Sequence, residues 1–177
     1  MTRTRRTLLA AAVAVPVVGC AVFAVRQSSG ASQLRQAVQR FETRYDAALK
    51  ALAAGPTVAD ALARADAKAI ETALVPLRVA HQLDLVDIVG ADGKMVTAFR
   101  AERFGIRAIE MVDKAVGSWP LTLAALKAPQ PASSATPAAL VKTAWGEAIY
   151  RAIPVSHGGR VVGAILVGTP LEDALKR

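Results

Sequence analysis

Cysteine, histidine and aromatic residues are all scarce in this sequence, and each scarcity closes a class of function. A single cysteine, Cys20, leaves no internal disulfide framework. The two histidines, His81 and His157, have no metal-ligand spacing with Cys20 or with a carboxylate. No metal and no cofactor is therefore expected. Aromatics are 5% of the 177 residues and do not interleave with a basic stripe, which argues against a nucleic-acid partner despite a formal charge of +8. Setting aside Arg3, Arg5, Arg6 and Arg26 leaves 18 basic residues against 14 acidic ones, spread along the chain. There is no Gly-x-Ser-x-Gly elbow, no glycine-rich phosphate loop and no zinc-peptidase helix motif. Asp84 and Asp87 are near neighbours, but an odd separation on a strand puts them on opposite faces. No catalytic residue is assigned, and no enzyme activity is expected.

What the chain does have is apolar sequence: 53% of its residues are hydrophobic, too many for disorder and enough for one domain with a real core. The segment 1–26 reads as an arginine-rich leader and a transmembrane anchor or signal segment. Thr7–Val25 holds 19 uncharged, mostly apolar residues between MTRTRR and Arg26. As a helix it would be about 28 Å long, close to the hydrocarbon thickness of a bilayer. Arginines in front of such a run hold the N-terminus in the cytoplasm and send the bulk of the chain outward. Two other readings stay open. Val17-Val18-Gly19-Cys20 resembles a lipobox, which makes Cys20 a candidate for lipidation, although the apolar run continues five residues beyond it. Thr4-Arg5-Arg6-Thr7-Leu8-Leu9 resembles a twin-arginine export signal.

Residues 27–177 read as the folded domain. A long helix is expected over 31–54, because Leu34, Val38, Phe41, Tyr45, Ala48 and Leu52 recur at alternating spacings of four and three. That seam, within 32–52, suits either packing on the chain's own sheet or pairing in a homodimer. Gly55-Pro56 ends the helix. Thr57-x-x-Asp60 approximates a capping box for a short helix through Leu62. Another helix follows, with Ile70, Leu74 and Leu77 on one face and Pro76 within it as an expected kink.

The later chain is built from hairpins. Gly90-Ala91-Asp92-Gly93-Lys94 separates two apolar runs, and so does His157-Gly158-Gly159. Strands are expected at 83–89, 94–101, 139–145, 148–155 and 160–167. Thr169-Pro170 then opens a short amphipathic helical segment, Leu171–Leu175. The order of LVDIVGADGKMVTAFR and, about fifty residues on, AIPVSHGGRVVGAILVGTPL resembles the Cache family of bacterial extracytoplasmic sensor domains over roughly residues 32–175. The resemblance implies an α+β fold: an N-terminal membrane helix continuing into a long helix, packed on a five-stranded antiparallel PAS-like (Cache) sheet. It also implies small-molecule sensing outside the bacterial cytoplasmic membrane, for a signalling receptor, with ligand binding transmitted through the N-terminal helix. The rival is a lipid-anchored or exported ligand-binding or accessory protein with no signalling output.

The insert between the second and third strands has an amphipathic stretch, Ile106–Val116, and a Pro-, Ala- and Ser-rich tract, 128–138, that reads as a mobile loop. In the family this insert covers one sheet face and closes a small-ligand pocket. The candidate ligand-binding residues are Arg100, Arg103, Lys142, Trp145, Tyr150 and Arg151. Alternation sets Arg100 beside Val96 and Ala98 on an apolar face, where a guanidinium invites a carboxylate, so an anionic ligand is expected. An ion pair with Asp87 or Glu102 is the competing use of Arg100 and Arg103. Tyr150 and Arg151 fall on opposite faces. The longer Tyr/Arg/Trp/Asp signature of amino-acid-sensing double Cache domains does not lie on this sequence.

Overall fold

The computed structural model describes residues 18–128 and 134–176, with side chains from residue 30 onward. Helix α1, Val18–Ala54, runs unbroken for 37 residues, about 55 Å at 1.5 Å per residue. It starts earlier than the spacing alone marks, because no glycine-proline break separates the apolar run from the seam. Most of Thr7–Val25 lies outside the described residues, as does the Cys20 side chain, and no described helix is long and apolar enough to cross a membrane. α1 buries Ala37, Phe41, Tyr45, Ala48, Leu49 and Leu52, while Leu34 and Val38 are half-buried. From Phe41 onward the expected seam is therefore spent within the chain.

Helix α2 is Pro56–Ala63 and α3 is Ala67–His81. The expected capping box at Thr57 does not form. Gly55 takes the cap position without a side-chain bond and Pro56 begins the helix, where its missing N–H costs nothing. The side-chain cap belongs to α3 instead, where Asp66 accepts from the Ala69 amide.

Five strands follow: β1 Leu85–Gly90, β2 Met95–Arg100, β3 Ala139–Thr143, β4 Gly146–His157 and β5 Arg160–Pro170. They form one antiparallel sheet in the order β2-β1-β5-β4-β3. Both hairpins turn at the expected glycines: Gly93 has φ 78°, and Gly158 and Gly159 have φ 56° and 77°. β5 extends past the expected end to Pro170, because β4 pairs with it from His157 back to Ala148.

Each face carries its own apolar cluster. Helices α1, α2 and α3 cover the first, packing on Val86, Ile88, Ile149, Ile153, Ile165 and Val167. The insert covers the second, with Met111, Val116, Trp119, Leu121 and Ala125 packed on Leu85, Val89, Tyr150, Ala152 and Leu166. The amphipathic stretch expected over Ile106–Val116 does not form one continuous helix. It comprises a 3-10 turn at Glu102–Phe104, a single helical turn α4 at Arg107–Glu110, a 3-10 stretch at Lys114–Ser118, and helix α5 at Pro120–Leu126. Gly105 and Asp113 interrupt the pattern, and Ile106 and Ile109 are 87% and 80% exposed. The Pro-rich tract also differs from a free loop where it is described. Thr136 donates its amide to the Ala152 carbonyl and accepts the Ala152 amide on its hydroxyl, so the segment completes the edge of β4 beyond β3. Helix α6, Leu171–Lys176, closes the described chain.

Candidate functional site

The candidate site starts from a carboxylate in an apolar strand. β1 reads LVDIVG, and period-two alternation puts Leu85, Asp87 and Val89 on the insert face with Val86 and Ile88 behind. Asp87 is 1% exposed. A charge there needs a counter-charge, and Arg100 at the end of β2 provides it, with Nη2 at 2.6 Å from Asp87 Oδ1. Arg100 donates its remaining reach to carbonyls: Nε to Met111, and Nη1 to Val86 and Phe99. The guanidinium expected to await an anion is thus 4% exposed and engaged with the protein, in the ion pair that was its competing reading. Its strand neighbours also change. An irregularity in the β1–β2 register sets Met95 opposite Val89 and turns Val96 toward the helices, leaving Ala98 as the small residue beside Asp87.

Tyr150, on β4, shares this face and is fully buried, edge-on to Trp119 with ring centroids 5.0 Å apart. Gly168 on β5 lies opposite, and a Cβ there would collide with the Tyr150 ring, so the glycine makes the space the phenol fills. The Tyr150 hydroxyl lies beside the Asp87 carboxylate without meeting hydrogen-bond geometry. It, Asp87 Oδ2 and Trp145 Nε1 are buried polar atoms without a partner. Burial, against the pull of Arg100, raises the Asp87 carboxyl above its ordinary 3.8. Burial and then the Asp87 charge hold the Tyr150 phenol well above 10.0.

The centre of the insert face is therefore filled by the chain's own side chains. The open volume lies at its rim: a cleft of about 450 Å³ lined by Phe104 and Arg107 of the insert, Trp145 of the β3–β4 turn, Glu147 at the start of β4, and Leu171 and Glu172 of α6. Asp113 joins two of these walls, accepting the Ala115 amide inside the insert and the Ala144 amide of the turn.

Of the six candidates, the structure brings Arg100, Tyr150 and Trp145 to the insert side. Arg151 points the other way, as alternation required, and pairs with Asp46 of α1 at 3.2 Å. Arg103 bridges Asp84 and Asp173 at 3.1 and 2.9 Å. Lys142 is exposed on the edge strand β3. Sequence reasoning missed Arg107 and Glu147 as cleft residues, because neither sits in a pattern; only the hairpin turn and the insert fold bring them together. Among the described residues no group of histidine, cysteine, aspartate and glutamate suited to a metal ion occurs.

No protein-family model matches the sequence, and comparison with curated proteins gives no match. Comparison with solved structures does. The sensor domain of Escherichia coli DcuS superposes with a TM-score of 0.58 at 13% identity, over 80% of this chain and 96% of that one. The fold is that of a Cache, PAS-like sensor domain. The sensor domain of the Vibrio cholerae histidine kinase DctB matches at TM-score 0.56 and 14% identity, over 87% of this chain and 59% of its own. An extracellular ligand-binding receptor from Desulfohalobium retbaense matches at TM-score 0.50 and 16% identity, over 80% of this chain and 25% of its own.

Proposed function

We propose that this chain is a small-molecule-sensing domain held on the outer side of the bacterial cytoplasmic membrane, serving a signalling receptor. One observation carries the reading: the β2-β1-β5-β4-β3 sheet has one face bound to a long leading helix and the other roofed by an insert that leaves a cleft of about 450 Å³ at its rim. The solved proteins of similar fold are described as sensor domains and a ligand-binding receptor, which supports a sensing role for a cleft so placed. The unbroken helix from Val18 into the core supports a direct connection between the apolar leader and the sheet. An anionic ligand entering the cleft meets Arg107, which has no ion pair among the described residues, rather than Arg100, whose charge Asp87 already balances. Pairing of two copies through α1 would use the half-buried Leu34, since Val38 and the seam from Phe41 onward pack internally.

The test uses the protein's own reporters. Its two tryptophans, Trp119 and Trp145, both pack in the insert-face cluster, and Trp145 lines the cleft, so intrinsic fluorescence during thermal unfolding reads this region directly. A library of organic acids, amines and other small metabolites is screened against the full chain. A true ligand at one hundred times its Kd stabilises by about 2.7 kcal/mol, an upward shift of several degrees in Tm. A broad library without one stabilising compound would overturn the sensing reading in favour of a purely structural module.

A further inference from the structure

Helix α6 is six residues long and buries one side chain, Ala174. It lies between two open volumes. On one side is the cleft of about 450 Å³, which it lines with Leu171, Glu172 and Leu175. On the other is a cavity of about 250 Å³ between α6 and α1, lined by Ala37, Phe41, Tyr45, Thr169 and Ala174. Its packing on the core comes down to Ala174 and the half-buried Leu171, with free space on both sides, so an element with so little buried surface is among the less firmly packed parts of the fold. Two arginines add polar ties. Arg40 of α1 donates to the Ala174 carbonyl at 3.4 Å, a long bond at the limit of useful geometry. Arg103 makes the stronger tie: one nitrogen, Nη2, sits 2.9 Å from Asp173 of α6 and 3.1 Å from Asp84, the residue before β1.

Asp84 is 3% exposed and is itself fixed by the Thr169 hydroxyl, 2.6 Å away at the end of β5, and by the Tyr45 hydroxyl of α1. The Asp84 end of this tie is therefore fixed by further partners, whereas Asp173 at the α6 end has this one ion pair among the described residues. The Arg103 guanidinium also lies 4.3 Å over the ring of Phe104, and Phe104 lines the cleft. A molecule that enters the cleft thus touches both the ring on which the arginine rests and the helix that the arginine restrains.

We propose, building on the sensing reading, that Arg103 is a clamp through which occupancy of the cleft sets the position of α6. Displacing Phe104 moves the guanidinium off its bridging position. Asp84 keeps its hydroxyl partners, Asp173 loses its only ion pair among the described residues, and α6 shifts toward the cavity at its back. The requirement on the ligand is that it favour the released arrangement over the clamped one, since equal affinity for both would move nothing.

The experiment needs no identified ligand. Spin labels at Lys176→Cys on α6 and Lys50→Cys on α1, in a Cys20→Ser full-length chain, give the distance between the two helices. The parent should show one narrow distribution. Asp173→Asn cuts the α6 side of the clamp and leaves the buried Asp84 paired, and it should add a second, displaced population. Arg107→Trp, which places an indole in the cleft as a built-in occupant, should add the same population. An unchanged distribution in Asp173→Asn would overturn the clamp. A response to Asp173→Asn with none to Arg107→Trp would overturn its link to the cleft. Because neither variant relies on a natural ligand, failure here is distinct from failure of the compound screen, which tests the sensing reading itself.

Discussion

Two arginines on opposite faces of the sheet show why a side chain's partner matters more than its own charge. Arg100 and Arg151 each pair with one aspartate and donate to backbone carbonyls, yet Asp87 is 1% exposed while the Asp46 side chain is 39% exposed. Arg100→Met leaves a carboxylate in an apolar layer with no water to solvate it, at a cost of about 3–5 kcal/mol. Arg151→Met leaves a carboxylate that water and Lys50 still solvate, at a cost of about 1 kcal/mol. Urea unfolding of both variants measures the difference, and equal losses would contradict the burial argument. The same pocket sets two pH effects of known sign. The folded chain keeps the Asp87 proton at pH values where the unfolded chain, with a carboxyl near 3.8, has released it, so this group's contribution falls as pH rises above 3.8. Tyr150 resists ionisation in the fold, whereas an unfolded tyrosine ionises near 10.0, so stability is lost as pH climbs past that value. Tyr150→Phe deletes a hydroxyl without a hydrogen-bond partner. It should stay within about 1 kcal/mol of the parent at neutral pH and flatten the decline between about pH 9 and 11, read as urea midpoints.

At the scale of elements, legibility followed the range of the interactions that decide each structure. The hairpin at His157-Gly158-Gly159 is a local event, since two residues with positive φ turn the chain and the apolar runs on either side pair at once. The seam of α1 is likewise local, and its lower half is where the spacing put it. The insert is the opposite case. Its apolar residues are spaced well enough for a helix, but Met111, Val116 and Trp119 reach the insert-face cluster from separate short turns, and Ile106 and Ile109 stay outside. Arg100 was legible as a lone charge on an apolar strand and Asp87 as a partner for it. Which of the two uses of Arg100 prevailed depended on a cross-strand diagonal that only the paired sheet displays. A test of this division lies in α1. Leu49 is fully buried against the sheet side, so Leu49→Ala should cost about 2–5 kcal/mol in urea unfolding. Leu34, half-buried and above the last fully buried position of the helix, should lose less than about 1 kcal/mol on the same truncation. A large effect at Leu34 would reveal a partner helix on that upper segment, and sedimentation of the variant would then show the change in oligomeric state.

For the whole molecule, the decisive relation is between the sheet and whatever holds the chain's beginning. α1 passes from Val18 to Ala54 without a break, so a rotation or tilt at one end is carried to the other as in a rod of about 55 Å. The helix and the sheet meet through Phe41, Tyr45, Leu49 and Leu52, a contact too well buried to slip by small increments. If the apolar run Thr7–Val25 is retained in the bilayer, the full-length chain should stay with membranes through alkaline carbonate washing, because a helix with 19 uncharged residues is held by hydrocarbon rather than by charge. Removal of residues 1–26 should release the rest to the supernatant. Cys20→Ala separates the two ways of being held. A spanning helix loses one small side chain and remains in the pellet, whereas a chain held by lipid on that cysteine leaves the membrane with the thiol. Recovery of the unaltered chain in the soluble fraction would remove the membrane from the proposal altogether, leaving an exported binding domain whose leading helix has nothing to push against.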